Sequence, residues 1–290
     1  MIRAKKSLGQ NFLNSKAVAR DIVRAAEIYG GATSINLEVA PPDFGDMVLE
    51  IGPGKGFLTG ELLASGARVV AVEKDDRMIP LLSEKFADEI TRGQFTLIHG
   101  DILKFDPKTY KLKPNSYKLI ANIPFYLTGH IIRTFLEAES KPERMILMVQ
   151  KEVATRIVAR TKKPFDSAQG KESILSIAVK AYGTPKLIKK VPARYFTPAP
   201  KVDSAILAIT NISGKNFPDK NAEKVFFEIV RAGFAHKRKI LAGNLKEIYG
   251  GRTSEILREA GIAENARAEN LSLDQWLSLA QKHASTVHRN

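Results

Sequence analysis

The chain has no cysteine among its 290 residues. That absence excludes disulfides, thiolate metal sites and cysteine nucleophiles, and it fits a reducing compartment. Histidine is sparse. The five histidines (His99, His130, His236, His283 and His288) show no metal-ligand spacing, so no metal is expected. No apolar run is long enough to span a bilayer, and the opening Met1-Ile2-Arg3-Ala4-Lys5-Lys6-Ser7 carries no secretory pattern. A cytoplasmic protein without a membrane partner is expected, acting as a monomer. There is no internal repeat. Acidic residues are also short, 31 against 45 Lys and Arg, which leaves a formal net charge of +14.

A basic excess of that size points to a polyanionic partner; a solubilising surface is the plain alternative. The cations cluster. Lys5, Lys6, Lys16, Arg20 and Arg24 crowd the N-terminus. Lys186, Lys189, Lys190, Arg194 and Lys201 punctuate a stretch rich in Pro, Tyr and Phe, and Lys237-Arg238-Lys239 follows His236 in a late helical stretch. Clusters interleaved with aromatics favour nucleic acid over membrane.

What the chain does contain is organised around Val48-Leu49-Glu50-Ile51-Gly52-Pro53-Gly54-Lys55-Gly56. A short apolar run ends in spaced glycines, and a helical pattern (Phe57, Leu58, Leu62, Leu63) starts at once. Strand, tight loop and helix in that order open a doubly wound α/β domain. A second apolar run, Arg68-Val69-Val70-Ala71-Val72, ends in Glu73. An acid there is placed to accept hydrogen bonds from two ribose hydroxyls, so a nucleoside-containing cofactor is expected.

The α/β alternation continues. Strands are predicted at 47–51, 68–73, 94–99, 117–121 and 144–149, and helices at 57–65, 77–87, 128–139 and 151–159. An earlier helix begins at Asn14, and loops cover 30–46 and 160–172. Residues 173–181 and 186–191 read as further strands, and Ala205–Ile209 closes the sheet. After a linker at 211–221, helices follow at 222–234, 237–248, 252–260 and 272–284, with Trp276 in their core. The expected division is a doubly wound α/β domain over 1–213 and a helical domain over 214–290. Ligands of open α/β sheets bind beyond the carboxyl ends of the strands. Gly52, Glu73, Asp101 and Asn122 all fall there, one per strand. Taken alone, Asp101 reads equally well as a capping residue or as an acceptor for an adenine amine.

Asn122-Ile123-Pro124-Phe125 carries the chemistry. The exocyclic amine of a base is a poor nucleophile because its lone pair is delocalised into the ring. Two acceptors on its two N–H groups would draw the nitrogen toward tetrahedral geometry. The Asn122 side-chain oxygen and the Ile123 carbonyl can do this; Pro124 stiffens the turn, and Phe125 can stack on the extruded base. Catalysis is then positioning plus acceptors matched to the charge developing on nitrogen, with no strong base.

These residues, with Gly9-Gln10-Asn11-Phe12-Leu13, Gly100-Asp101, Gln150-Lys151-Glu152-Val153-Ala154 and Phe196-Thr197-Pro198-Ala199-Pro200-Lys201-Val202-Asp203-Ser204, resemble the KsgA (RsmA) family of ribosomal RNA adenine dimethyltransferases. The resemblance runs from Lys6 to about Ser204 and continues more weakly to Leu245. It implies a Rossmann-like class I methyltransferase domain and S-adenosylmethionine as cofactor. It implies that Asn11 and Leu13 close over the cofactor, that Gly52 and Gly54 lie beneath it, that Glu73 holds its ribose, and that Asp101 and Ile102 meet its adenine. Asn122 and the Ile123 carbonyl would hold the target amine between Phe125 and Phe196. The implied substrate is two adjacent adenosines near the 3′ end of small-subunit rRNA. The implied partner is the immature small ribosomal subunit, met by Lys201 and by Lys237, Arg238 and Lys239 of the helical domain.

The family usually carries Asn-Leu-Pro-Tyr where this chain has Ile123 and Phe125, and related large-subunit rRNA methyltransferases often carry Asn-Ile-Pro-Tyr or Asn-Ile-Pro-Phe. The 150–154 segment looks like the small-subunit branch. A large-subunit methyltransferase, a non-catalytic assembly factor and a nicotinamide oxidoreductase are the competing readings; the last gives no role to Asn122–Phe125.

Overall fold

A computed structural model describes residues 3–29, 44–159, 171–236 and 238–287. The loops expected at 30–46 and 160–172 lie almost wholly outside these residues. In chain order the strands are β1 (Phe12–Leu13), β2 (Met47–Ile51), β3 (Arg68–Glu73), β4 (Phe95–His99), β5 (Tyr117–Asn122), β6 (Arg144–Gln150), β7 (Thr184–Val191), β8 (Phe196–Thr197) and β9 (Ser204–Thr210). The helices are α1 (Lys16–Ala26), α2 (Phe57–Ala64), α3 (Met78–Lys85), α4 (Ala87–Thr91), α5 (Thr128–Glu137), α6 (Lys151–Val158), α7 (Ile174–Tyr182), α8 (Lys220–Gly233), α9 (Leu241–Tyr249), α10 (Thr253–Glu259) and α11 (Leu273–Val287).

The chain divides into two units. One comprises Met1–Ala154 with Thr184–Ile212, the other Thr155–Gly183 with Ser213–Asn290. The sequence-based division placed 155–183 with the α/β domain; by contacts this stretch groups with the C-terminal helices. The reason lies in α7, whose Tyr182 hydroxyl donates to Glu223 at 2.7 Å and whose Ala181 carbonyl accepts from the Asn216 amide at 2.7 Å.

In the first unit a seven-stranded sheet has the order β4-β3-β2-β5-β6-β9-β7. The run from β4 to β6 is parallel, and β9 pairs antiparallel with both β6 and β7. The chain winds outward from β2 through β3 to β4, then returns to lay β5 on the other side. That reversal between β2 and β5 opens a crevice at the strand tips. Register sets it level: Ile51 pairs with Val72 on one side and Ala121 on the other, so Gly52, Glu73 and Asn122 come next along three adjacent strands. One face buries Val48, Val69, Ala71, Ile120, Ile146 and Met148 against Val18 and Ile22 of α1 and Leu58 and Leu62 of α2. Coverage by helices explains why these strands read as continuous apolar runs. A separate antiparallel pair joins β1 to β8, matching Phe12 with Thr197 and Leu13 with Phe196. Strand β7 is a sheet edge, with Lys186, Lys189 and Lys190 exposed along it.

In the second unit Trp276 is fully buried and stacks on Phe234 at 5.7 Å between ring centroids. The fit is close: a Cβ on Gly233 would lie 2.4 Å from the Trp276 ring.

The sequence misplaced one element here. Residues 173–181 read as strand, yet Ile174–Tyr182 is helical. An apolar run buried on most sides has no clear period, so pattern alone does not separate helix from strand. The deciding signal is local. The Ser173 hydroxyl accepts from the Ser176 N–H at 3.2 Å, and the Ser176 hydroxyl accepts from the Ser173 N–H at 2.7 Å, a reciprocal cap. Likewise the helix expected from residue 237 starts only at Leu241.

Candidate active site

At the sheet crevice lies an open cleft of about 870 Å³, counting the solvent at its mouth. Its floor is Ile51, Gly52, Gly54 and Val72; its sides are Glu73, Asp101, Ile102, Asn122, Ile123, Pro124, Phe125 and Phe196. Leu8 to Phe12 form a further wall. Among the described residues no acid and histidine cluster could hold a metal.

The glycine loop begins where β2 ends. Gly52 has φ +67°, a conformation costly for any side chain, and a Cβ placed there would meet nothing within 4 Å. The space above Gly52 is therefore open to a ligand. Gly54 differs: a Cβ there would come 3.0 Å from the Phe12 ring, so the N-terminal segment lies directly on the loop.

Glu73 ends β3 and is buried. Its carboxylate accepts the Gly54 N–H at 2.9 Å on one oxygen and the Asp75 N–H at 2.8 Å on the other. Burial raises its pKa above the ordinary range, and the backbone N–H groups act in opposition. Both oxygens are thus aimed by main chain while each keeps a lone pair for a ligand. Glu50, in the middle of the same glycine-loop strand, is a different kind of acid. It is fully buried, accepts the Thr59 hydroxyl at 2.7 Å, and is pushed up to about 8, first by burial and further by the nearby Glu73. It lies below the cleft and does not line it.

Asp101 follows β4 and takes the capping role that its sequence position allowed, with a lysine on its other oxygen. One oxygen accepts the Leu103 N–H at 3.1 Å and caps a short turn; the other accepts from the Lys74 ammonium at 2.7 Å. Lys74 holds its carboxyl below the usual range. Ile102 beside it is buried and lines the cleft.

Asn122 is the last residue of β5 and is half-buried. Its amide nitrogen donates to the Asn11 carbonyl at 3.0 Å. Since a carbonyl can only accept, the amide orientation is settled, and its oxygen is the atom left to accept from a ligand. The chain then turns at Pro124, whose φ is −54°, into a short turn over Phe125–Leu127 closed by the Leu127 N–H on the Pro124 carbonyl at 2.9 Å. Phe196 comes from across the chain: β8 brings it beside β1, and the Asn14 amide pins that junction to the Thr197 hydroxyl at 2.8 Å.

The structure thus gathers Asn11, Gly52, Gly54, Glu73, Asp101, Ile102, Asn122–Phe125 and Phe196 around one cleft. Leu13 is not among them. Its side chain packs into the core beneath α1, because β-strand alternation turns Phe12 and Leu13 to opposite sides. Phe12 takes the cleft position instead, with the Lys55 ammonium 5.0 Å from its ring centroid. Lys201 is exposed and does not line the cleft; Arg238 and Lys239 are exposed in the second unit, and Lys237 lies outside the described residues. The sequence reading gave no role to Gln10, Asp75 or Tyr126. Gln10 lies inside a motif singled out above, and Tyr126 directly follows Phe125, but nothing local marks Asp75 as a partner of Gln10.

The sequence model described as ribosomal RNA adenine dimethylase matches residues 1–285. A protein of Dehalococcoides mccartyi strain CBDB1 named ribosomal RNA small subunit methyltransferase A is 41% identical over 286 residues, covering 98% of this chain and 89% of that protein. One of the same name from Thermosynechococcus vestitus is 38% identical, with 97% of each chain covered. Among solved structures, the 23S rRNA methyltransferase ErmE superposes with a TM-score of 0.68 at 26% identity, covering 94% of this chain and all of that one. A dimethyladenosine transferase from Plasmodium falciparum superposes at 0.74 with 23% identity, covering 95% and 98%, and supports the fold. Membership of that family implies a methyl donor and ribosomal RNA as the substrate. The chain belongs to the ribosomal RNA adenine dimethylase family.

Proposed function

We propose that this protein uses S-adenosylmethionine to dimethylate the exocyclic amines of two adjacent adenosines near the 3′ end of small-subunit rRNA. The carrying observation is Asn122, which lines the cleft and whose amide nitrogen is committed to the Asn11 carbonyl, leaving its oxygen to accept from a ligand.

The residues fit the cofactor. The open space over Gly52 admits a ligand against bare main chain, and Glu73 offers two backbone-aimed oxygens to a ribose. Ile102 offers an apolar face and Asp101 a carboxylate to an adenine, although the amine must share that carboxylate with Lys74. When bound, the cofactor supplies an activated methyl on a sulfonium. The chain's own work is then to hold a base. Phe125 and Phe196 sandwich it, while the Asn122 oxygen and the Ile123 carbonyl accept its two N–H groups and localise the nitrogen lone pair. The proton leaving nitrogen needs no dedicated base once the amine carries a positive charge.

The small-subunit target is supported by the names of the relatives at 38–41% identity, each aligned over nearly the whole chain. The net charge of +14 and the exposed Lys201, Arg238 and Lys239 fit a ribosomal RNA surface. The test is incubation with labelled cofactor and unmethylated small subunits, followed by mass spectrometry of the nucleosides. Dimethyladenosine in small-subunit rRNA is expected. Modification of large-subunit rRNA alone would overturn the target, and no transfer to either would overturn the activity.

A further inference from the structure

The N-terminal segment must be held against the cleft by something, because β1 is only two residues long. The anchor is Asp75, two residues beyond the ribose-side acid. Its side chain has no exposed surface. Arg77 already satisfies it from two directions, with Nε 2.9 Å from Oδ1 and Nη2 2.6 Å from Oδ2. Two further donors arrive from the start of the chain. Gln10 Nε2 donates to Oδ2 at 2.8 Å, and Lys5 Nζ lies 3.2 Å from Oδ1 and 3.1 Å from the Asp76 carboxylate. Gln10 is itself aimed, because its Oε1 accepts the Lys5 N–H at 2.8 Å. Between anchor and cleft the chain bends at Gly9, with φ +60° and the Tyr126 ring 3.1 Å from where a Cβ would stand.

Asp75 also reaches the other side of the cleft, since its own N–H donates to Glu73 Oε1 at 2.8 Å. The next residue after Gln10 is Asn11, whose carbonyl fixes the Asn122 amide. We propose that Asp75 is a positioning residue that straps residues 5–12 onto the cleft and, through Gln10 and Asn11, sets the aim of Asn122. The strap itself stands on the hydrogen bonds above; its effect on turnover rests on the proposed function. Charge-assisted bonds to an enclosed carboxylate are the strong kind, so the strap is held far more firmly than a two-residue strand would hold it.

The test uses the full-length protein and two variants, Asp75→Asn and Gln10→Ala. The second leaves the Arg77–Asp75 pair intact and so keeps the fold if the first does not. Amide hydrogen exchange is read at residues 8–12 with and without S-adenosylhomocysteine, with the β5 amides as the folding control. Affinity for S-adenosylmethionine is read without RNA, and kcat at saturating cofactor. In both variants exchange at 8–12 is expected to rise about tenfold or more while β5 stays protected, and cofactor affinity to weaken about tenfold, the scale for losing one hydrogen bond to a charged group. At saturating cofactor kcat falls as well, because Asn122 loses its aim. Wild-type affinity together with wild-type exchange at 8–12 in Gln10→Ala overturns the proposal. Loss of protection confined to 8–12 in a protein that methylates no rRNA would keep the strap and discard the proposed function.

Discussion

On one side of the cleft, Glu73 is oriented by N–H groups of Gly54 and Asp75, and Asp101 by Leu103 and Lys74. These partners lie on the same strand tip, on the next one, or in the glycine loop. On the other side, Asn122 is oriented by Asn11, 111 residues away, and Phe196 sits in place because β8 pairs with β1. The first side is built from adjacent strand ends, and the second from distant pieces of chain brought together only in the folded protein. The acids of the cofactor half are therefore oriented within the parallel sheet, whereas the base half, and the wall that closes over the cofactor, depend on how the N-terminal segment is laid down.

That contrast separates binding from turnover. Asn122→Ala should lower kcat by about 10²-fold or more and leave cofactor affinity near its original value, as expected for one preorganised group at a transition state; near-normal turnover would erase the distinction. Glu73→Gln should show the reverse pattern. One acceptor oxygen becomes an amide next to N–H donors, so cofactor binding by calorimetry should weaken by about tenfold or more. Its RNA binding should not change. Asp101→Ala sharpens the comparison within the cofactor side. Both of its oxygens already have protein partners and Lys74 is more than half exposed, so a loss of only about threefold in cofactor affinity is expected.

Glu50, the acid below the cleft, bears on stability instead of binding or turnover. In the unfolded chain it ionises near 4.5, whereas in the fold it keeps its proton up to about 8. An acid with a raised folded pKa binds protons more tightly when native, so its contribution to stability is lost as pH rises across that window. Glu50→Gln keeps an acceptor for Thr59 without the charge. Its melting temperature should gain on the wild type between pH 4.5 and 8 and level off above; a constant difference would show that Glu50 does not titrate there.

Much of this was legible in the sequence because parallel strands place their carboxyl ends on one edge. Once β2 to β5 were located, Gly52, Glu73, Asp101 and Asn122 had to converge. The helix at Ile174–Tyr182 was not legible from its apolar run, and its cap rests on a serine pair that is common in loops too. That the Phe12 side chain lines the cleft while the Leu13 side chain packs into the core is not legible either, since a two-residue strand gives no alternation to read. Asp75 was missed for a deeper reason. Its value comes from Lys5 and Gln10, 70 and 65 residues earlier, and no local spacing records that meeting.

The lysines along β7 have a consequence of their own. An outermost strand offers unpaired main-chain donors and acceptors to any passing chain, and such borders seed aggregation. Here Pro185 removes one donor, and Lys186 and Lys190 set positive charge along the border, while Lys189 is paired with Asp21. A second copy adding its own β7 would bring like charges face to face. The arrangement discourages the sheets of two copies from fusing while leaving the same cations available to a polyanion.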